Sequence, residues 1–290
     1  MNKHFILQGS IVPLITPLDK HEELDVAAVE KLVHFHVSKG TNAIFLLGTC
    51  GEGPSLTDAV KVQLIDTVLG MEEKLPVIVG LAETATKRTV ELAGKLQRER
   101  IAAYVLLPPV FQFAGTVEEH LLHIRSVQKV LKSPLILYNL PKKNGGQLIP
   151  IEVVRILVEE NLIIGIKDSS GDLDYIKKLL QIKEAYPSFR VMNGELRTAM
   201  DALKMGVDGL VMSYTNVDPV ECLELIQAVR LGESERAHEL QKEFLDRWSA
   251  FPPGVSFIAK VKSILNAKGL CQNYCCMPTI SSTKVGKEQA

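Results

Sequence analysis

The stretch Ile163-Ile164-Gly165-Ile166-Lys167-Asp168-Ser169-Ser170-Gly171-Asp172 decides the fold. Its first four residues form a short, β-branched apolar run without polar alternation, the pattern of a parallel strand buried on both faces. Lys167 closes that run. The polar turn after it ends in Asp172, placed to cap the helical pattern that follows. The unit therefore reads strand, turn, helix. An amine at the end of such a strand is partly desolvated, which favours the free base and allows attack on a carbonyl to form a Schiff base. The other reading of Lys167 is a solvated lysine opening a loop, because surface lysines far outnumber catalytic ones.

The same unit recurs in both directions along the chain. Further short apolar runs occupy Ile11–Leu18, Ala43–Gly48, Pro76–Leu81, Ala103–Leu107, Pro134–Tyr138, Phe189–Gly194 and Gly209–Ser213, each followed by an amphipathic segment. In Val26–Lys39, for example, Val29, Leu32, Val33 and His36 fall on one side. Asp25, Thr57, Thr116, Asp172 and Asp218 are placed as N-caps, and Gly40, Gly70, Gly206 and Gly232 follow the helix ends. Eight such units argue for an α/β fold with a parallel sheet covered by helices. An open doubly wound sheet would carry a glycine-rich fingerprint after its first strand, where Pro13 and Pro17 stand instead. The expectation is a (β/α)8 TIM barrel over residues 1–232 with a C-terminal helical extension over 233–290, its helices at Ser234–Phe251 and Val255–Lys268. The tail Ser281–Ala290 is polar and expected to fray.

Composition narrows the class. The 290 residues are 46% hydrophobic and 23% charged, ordinary for a globular chain with a large core. A net charge of −1 leaves no electrostatic footprint for nucleic acid or an anionic membrane. No apolar run approaches the roughly 18 residues of a membrane span, and the apolar stretch at Phe5-Ile6-Leu7 is too short for a signal peptide. A cytoplasmic protein is expected. Five cysteines, an odd number, suit a reducing compartment. Cys222 lies on an apolar helix face. Cys271, Cys275 and Cys276 lack a paired C-x2-C spacing and a nearby histidine, so buried or partly exposed thiols are expected in preference to a metal site. His34, His36, His120 and His123 fall on helices without ligand spacing and read as packing or surface residues.

In a barrel, the C-terminal ends of the strands meet at one mouth. Four of those ends carry usable chemistry: Gly48-Thr49-Cys50-Gly51-Glu52-Gly53, Tyr138-Asn139-Leu140-Pro141, Lys167 and Asn193-Gly194-Glu195. The turn at Thr49–Gly51 can aim backbone N–H groups at a carboxylate. Tyr138 can pass a proton, with Thr49 as a relay; alternatively it is a packed aromatic whose hydroxyl finds a structural partner.

Gly48-Thr49-x-Gly51-Glu52, Tyr138-Asn139-x-Pro141 and Gly165-Ile166-Lys167-Asp168 resemble the motifs of the dihydrodipicolinate synthase / N-acetylneuraminate lyase family of class I aldolases. The resemblance is collinear from about Gly9 through the barrel and weaker beyond it. It implies that Lys167 forms a Schiff base with pyruvate or another 2-oxo acid and that Tyr138 is the acid/base phenol. It further implies that Thr49 and Cys50, beside Gly51, bind the 2-oxo acid carboxylate, and that Gly194 and Val211 line the pyruvate pocket. A homotetramer built as a dimer of dimers is implied as well. No metal or organic cofactor is expected, because the imine itself supplies the electron sink.

Departures from the pattern bear on the substrate. Thr49-Cys50 stands where the family usually has two hydroxylated residues. Phe111 occupies a position where many members carry a tyrosine that enters the neighbouring subunit's proton relay. Lys143 replaces the arginine with which synthases bind the acceptor carboxylate; it keeps the charge and loses the bidentate fork. Thr84 and Arg88 replace the amide and carboxylate of lysine-inhibited synthases, arguing against such inhibition. Ser169 matches a position where sugar-acid aldolases use a hydroxyl residue. The leading expectation is a pyruvate-dependent lyase making or breaking a carbon–carbon bond in a hydroxylated 2-oxo acid, of the 2-keto-3-deoxy sugar acid or 4-hydroxy-2-oxo acid type. The alternatives are a dihydrodipicolinate synthase condensing pyruvate with aspartate semialdehyde, a deoxy-keto sugar acid dehydratase, and a degenerate barrel that senses a 2-oxo acid.

Overall fold

Each of the eight apolar runs overlaps a parallel strand in the computed structural model, which describes residues 5–111 and 113–281. The strands are β1 (Gly9–Pro13), β2 (Ala43–Leu46), β3 (Val77–Leu81), β4 (Ile101–Leu106), β5 (Leu135–Asn139), β6 (Gly165–Asp168), β7 (Arg190–Asn193) and β8 (Gly209–Leu210). They pair in chain order, and β8 pairs back onto β1, closing a (β/α)8 barrel. One helix follows each strand: α1 (Val26–Ser38), α2 (Asp58–Gly70), α3 (Thr86–Leu96), α4 (Val117–Gln128), α5 (Ile151–Glu159), α6 (Leu173–Ala185), α7 (Ala199–Met205) and α8 (Pro219–Leu231). Two more, α9 (Ser234–Ser249) and α10 (Phe257–Ala267), complete the C-terminal helical part; α9 lies against α7 and α8.

Alternation along each strand sorts the apolar side chains into two layers. Ile11, Phe45, Val105, Ile136, Tyr138 and Met192 point into the barrel, whereas Val12, Ile44, Leu46, Val79, Leu137 and Ile166 face the helices. Both faces are buried, which explains why the runs show no polar alternation. Fully burying a side chain of this size contributes about 1.5–3 kcal/mol, so the two layers supply the main force for closure.

The caps follow chemistry visible in the sequence. Asp25, Thr57 and Asp172 each accept a backbone N–H of the first helical turn, and Thr116 forms a reciprocal capping box with Glu119. Asp218 occupies the N-cap position of α8 without making the side-chain bond; it faces Arg247 at 3.7 Å instead. Gly206 and Gly232 end their helices in the left-handed conformation, and Gly40 adopts it just beyond α1. Gly70 corrects the expectation. It is the last residue of α2, and the chain leaves directly into extended Met71, so no left-handed turn is needed there.

The first and last strands are shorter than their apolar runs suggest. Beyond Pro13 the ladder of β1 is continued by a side chain: Ile15 donates its backbone N–H to Asn216 Oδ1 at 2.9 Å, and Asn216 Nδ2 donates to the Pro13 carbonyl at 2.9 Å. β8 stops at Leu210, and the chain then makes a 3-10 turn at Ser213–Asn216 that delivers Asn216 to this seam. The polar tail expected to fray lies, from residue 282 onward, outside the described residues. Among the described residues no helix is long and apolar enough to cross a membrane.

Asn216 is fully buried, so Asn216→Ala strands a backbone donor and acceptor. At about 1–3 kcal/mol per buried unsatisfied group, the expected loss is about 2–4 kcal/mol. Urea unfolding should show it as a lower midpoint at unchanged slope. A loss below about 0.5 kcal/mol would mean that the seam does not need this side chain.

Candidate active site

The register between β5 and β6 sets Tyr138 opposite Lys167, with both side chains directed inward. Lys167 Nζ lies 4.1 Å from the centre of the Tyr138 ring and 5.1 Å from that of Phe45. An amine between two aromatic faces and almost wholly buried is shielded from water, as a Schiff-base nucleophile requires. The Tyr138 hydroxyl is 3.4 Å from Thr49 Oγ1. At the mouth the amine thus packs on the phenol ring, and the phenol hydroxyl meets the threonine.

Gly194 makes room for this arrangement. A Cβ there would come within 2.7 Å of Lys167 Cε and 2.2 Å of Ser169 Oγ, so any larger residue would displace the amine. Ser169 Oγ therefore sits beside the lysine stem, and it is buried without a protein partner. Val211 is directed into the same lumen. Buried hydroxyls without partners are uncommon in folded proteins, and one facing a pocket suits a polar substrate group.

The loop after β2 is held under strain. Leu47 and Glu52 bracket it in the left-handed region, at φ 59° and 54°, although neither is glycine. Such residues cost about 1–3 kcal/mol each and persist where surrounding contacts over-determine them. Thr16 Oγ1 donates to the Gly51 carbonyl at 2.6 Å, and a Cβ on Gly53 or Gly80 would collide with the Leu47 carbonyl. At the far end, Glu52 forms an ion pair with Lys262 of α10, the two side chains being 2% and 0% exposed. Lys262 also donates to the Tyr274 carbonyl at 2.7 Å, and Glu52 accepts the Cys276 N–H at 2.7 Å. Between these anchors, Cys50 is buried. Burial pushes its thiol up to about 11 against the opposing pull of Lys167, so it is a weak neutral donor at pH 7.

Thr49, Tyr138, Lys167, Ser169 and Gly194 thus come together at the mouth, with the Cys50–Gly51 turn beside them. Lys143 lies on the 3-10 turn after β5 with its side chain in solvent, while its neighbour Lys142 pairs with Glu195 at 2.9 Å. Phe111, on the loop after β4, is 83% exposed in the isolated chain. Cys271, Cys275 and Cys276 are buried free thiols, raised by burial to about 12, 11 and 12. Among the described residues no cluster of three or more His, Cys, Asp or Glu could hold a metal ion. Burial lowers His36 and His123 to about 3 and about 4, which makes them neutral packing residues at pH 7. Lys262 has no role legible from motifs, although it carries one signal in the sequence: it is the single charge within the buried stretch Val261–Leu265 of α10. Asn139 and Asp168 stand in the family motifs, where the sequence alone gives them no chemical role.

The comparisons with known proteins agree with this fold. Residues 6–290 match the dihydrodipicolinate synthetase family. The chain is 32% identical over 241 residues to the 4-hydroxy-tetrahydrodipicolinate synthase of Stutzerimonas stutzeri strain A1501, covering 83% of this chain and 81% of that one. The dihydrodipicolinate synthase structure from Aquifex aeolicus superposes with a TM-score of 0.84 at 27% identity, over 98% of this chain and 94% of that one. The corresponding Bacteroides thetaiotaomicron structure gives 0.89 at 25% identity, over 99% and 96%.

Lys262→Met should cost about 3–5 kcal/mol, because it leaves Glu52 as a buried charge without compensation. The double variant Glu52→Gln/Lys262→Met should recover most of that loss in chemical denaturation. A double variant no more stable than the single one would show that the charges are not coupled.

Proposed function

This chain belongs to the dihydrodipicolinate synthetase family, and from that membership we propose that it is a Schiff-base-forming, pyruvate-dependent lyase acting on a hydroxylated 2-oxo acid. The lyase class follows from the family. The observation that supports the finer reading is Ser169 Oγ, buried without a partner beside the Lys167 stem. In this reading the Lys167 lone pair adds to C2 of the 2-oxo acid, and loss of water gives a protonated imine. Tyr138 takes the proton of the C4 hydroxyl; the C3–C4 bonding pair moves toward the iminium nitrogen, forming an enamine as the aldehyde leaves. The enamine is protonated at C3, and water hydrolyses the imine to release pyruvate and the free amine. Thr49 relays protons to and from the phenol, and the Thr49–Gly51 backbone holds the substrate carboxylate.

A synthase is the second reading, favoured by the activity named for the relatives. The solvent-exposed Lys143, in place of a forked guanidinium, weighs against it. We also propose a homotetramer in the cytoplasm; the exposed Phe111 ring is apolar surface that a subunit interface would cover.

Borohydride treatment in the presence of pyruvate should leave a reduced three-carbon adduct on wild type and none on Lys167→Ala; an equal adduct on both moves the nucleophile elsewhere. Tyr138→Phe should fold normally and lower kcat by roughly 10²- to 10⁴-fold; a variant within about threefold of wild type assigns the proton to another group. For the substrate, pyruvate release across a panel of sugar acids should be measured beside synthase activity. Ser169→Ala should weaken kcat/KM for the true substrate with little effect on imine formation. Synthase activity above about 10⁴ M⁻¹s⁻¹ with no sugar acid cleaved would replace the first reading by the second.

A further inference from the structure

Behind the amine and the phenol, on the opposite face of the same two strands, stands a buried carboxylate–amide pair. The register that sets Tyr138 against Lys167 also sets Asn139 against Asp168. Strand alternation turns this second pair away from the lumen, toward the helix layer. Both side chains are almost wholly buried. Asn139 Nδ2 donates to Asp168 Oδ1 at 2.6 Å. Ser170 donates to Asp168 Oδ2 through its hydroxyl at 2.8 Å and its backbone N–H at 3.3 Å. The other end of Asn139 is fixed as well, since its Oδ1 accepts the Ile149 N–H at 3.0 Å. Ile149 in turn accepts the Tyr175 hydroxyl of α6 at 2.7 Å on its carbonyl.

All of the donors to Asp168 are neutral. Burial pushes its carboxyl up to about 6, and Asp172 adds to that; Asn139 and Ser170 pull the other way. Tyr175, facing it from α6, is raised first by burial and then by Asp168 and Asp172. On the remaining side, Asp168 is paired in register with Asn193 of β7. The sign matters. A carboxyl raised in the fold stabilises the protein at acidic pH, and this contribution fades as pH rises from 3.8 through about 6. At neutral pH the ionised Asp168 therefore costs stability. A destabilising charge kept one residue from the reacting amine has the mark of a functional group, not of a packing group.

We propose that Asp168 and Asn139 are positioning residues: the carboxylate grips the amide across β5 and β6 and so fixes the angle at which Tyr138 faces Lys167. This rests on the reading of Lys167 and Tyr138 as nucleophile and acid/base. The grip lies one residue beyond each reacting side chain, where a small rotation of either strand would move the phenol relative to the amine. Displacements near 1 Å can cost a hundredfold in rate. Ser169 is held by the same device, since it lies between Asp168 and Ser170.

Asp168→Asn keeps the shape and removes the charge. Its kcat should fall about 10- to 100-fold, with KM for pyruvate within about threefold and the borohydride adduct on Lys167 still formed. Its Tm at pH 7.5 should equal or exceed that of wild type. Wild-type kcat should decline below about pH 6 as Asp168 is protonated, and the variant should lack that limb. Ser170→Ala keeps the test informative should Asp168→Asn not fold. Losing a hydrogen bond that favours the charged form should move the acid limb to higher pH. A variant with wild-type kcat and an unmoved limb overturns the proposal. So does an Asp168→Asn protein whose Tm and adduct formation fall together, which would mark a structural role. If wild type itself forms no adduct, the reading beneath the proposal fails, and the proposal fails with it.

Discussion

The seam between β1 and β8 is the constraint on which the remaining structure depends. An open sheet of these eight strands would splay its ends apart; closure gathers them into one mouth. The closing strand is only two residues long, and glycine makes the contact possible. A Cβ on Gly209 would stand 2.0 Å from the Gly9 carbonyl oxygen. The ladder itself pairs only two residues of each strand, Gly9 with Gly209 and Ser10 with Leu210. Asn216 therefore extends it with side-chain atoms that imitate a strand, accepting from Ile15 and donating to Pro13. Every distance across the mouth inherits its value from this closure, including the 3.4 Å between Thr49 and Tyr138.

Given a closed barrel, the two-residue period of a strand separates chemistry from support. On β6 the inward residue is Lys167 and the outward one is Asp168; on β5 they are Tyr138 and Asn139. The inward pair faces the lumen, while the outward pair ties the strands together from behind. The loop after β2 has no ladder beyond it, so its support arrives from elsewhere in the chain. Lys262 reaches it from α10, 210 residues away in sequence. A buried ion pair is weak evidence of stability in itself, because desolvation offsets most of its attraction. Here its direct consequence is geometric: it anchors left-handed Glu52 beside the Cys50–Gly51 turn.

What the sequence reveals and what it hides follow from the same physics. Strands buried on both faces appear as unbroken apolar runs, so all eight are legible, and Asp25, Thr116 and Asp172 announce helix starts through local hydrogen bonds. Lys167 is legible because a charge ending such a run is costly unless it has a use. The ends of β1 and β8 are misjudged because apolar content continues into the buried turns that roof the barrel, where burial no longer implies a ladder. Gly70 misleads because a helix can also leave into an extended residue. Glu52 with Lys262, and Asn139 with Asp168, are pairings across the fold. Neither partner carries a periodic or local signal of the other, so only the closed structure brings them into view.

The same division bears on substrate choice. The groups proposed to handle the 2-oxo acid all sit on strand ends or on the anchored loop, where closure and buried pairing fix them. The residue in which this chain departs from the synthase pattern toward the acceptor, Lys143, lies on the turn after β5 and reaches into solvent. Changes there alter charge and shape at the rim without disturbing the register that sets Tyr138 against Lys167. In the proposed reading, imine formation and proton transfer at the strand ends can thus stay constant while the aldehyde partner varies, because the two depend on different layers of the fold. Ser169 is the exception proposed to join them: it follows β6 directly, inside the fixed layer, and its buried hydroxyl has no protein partner.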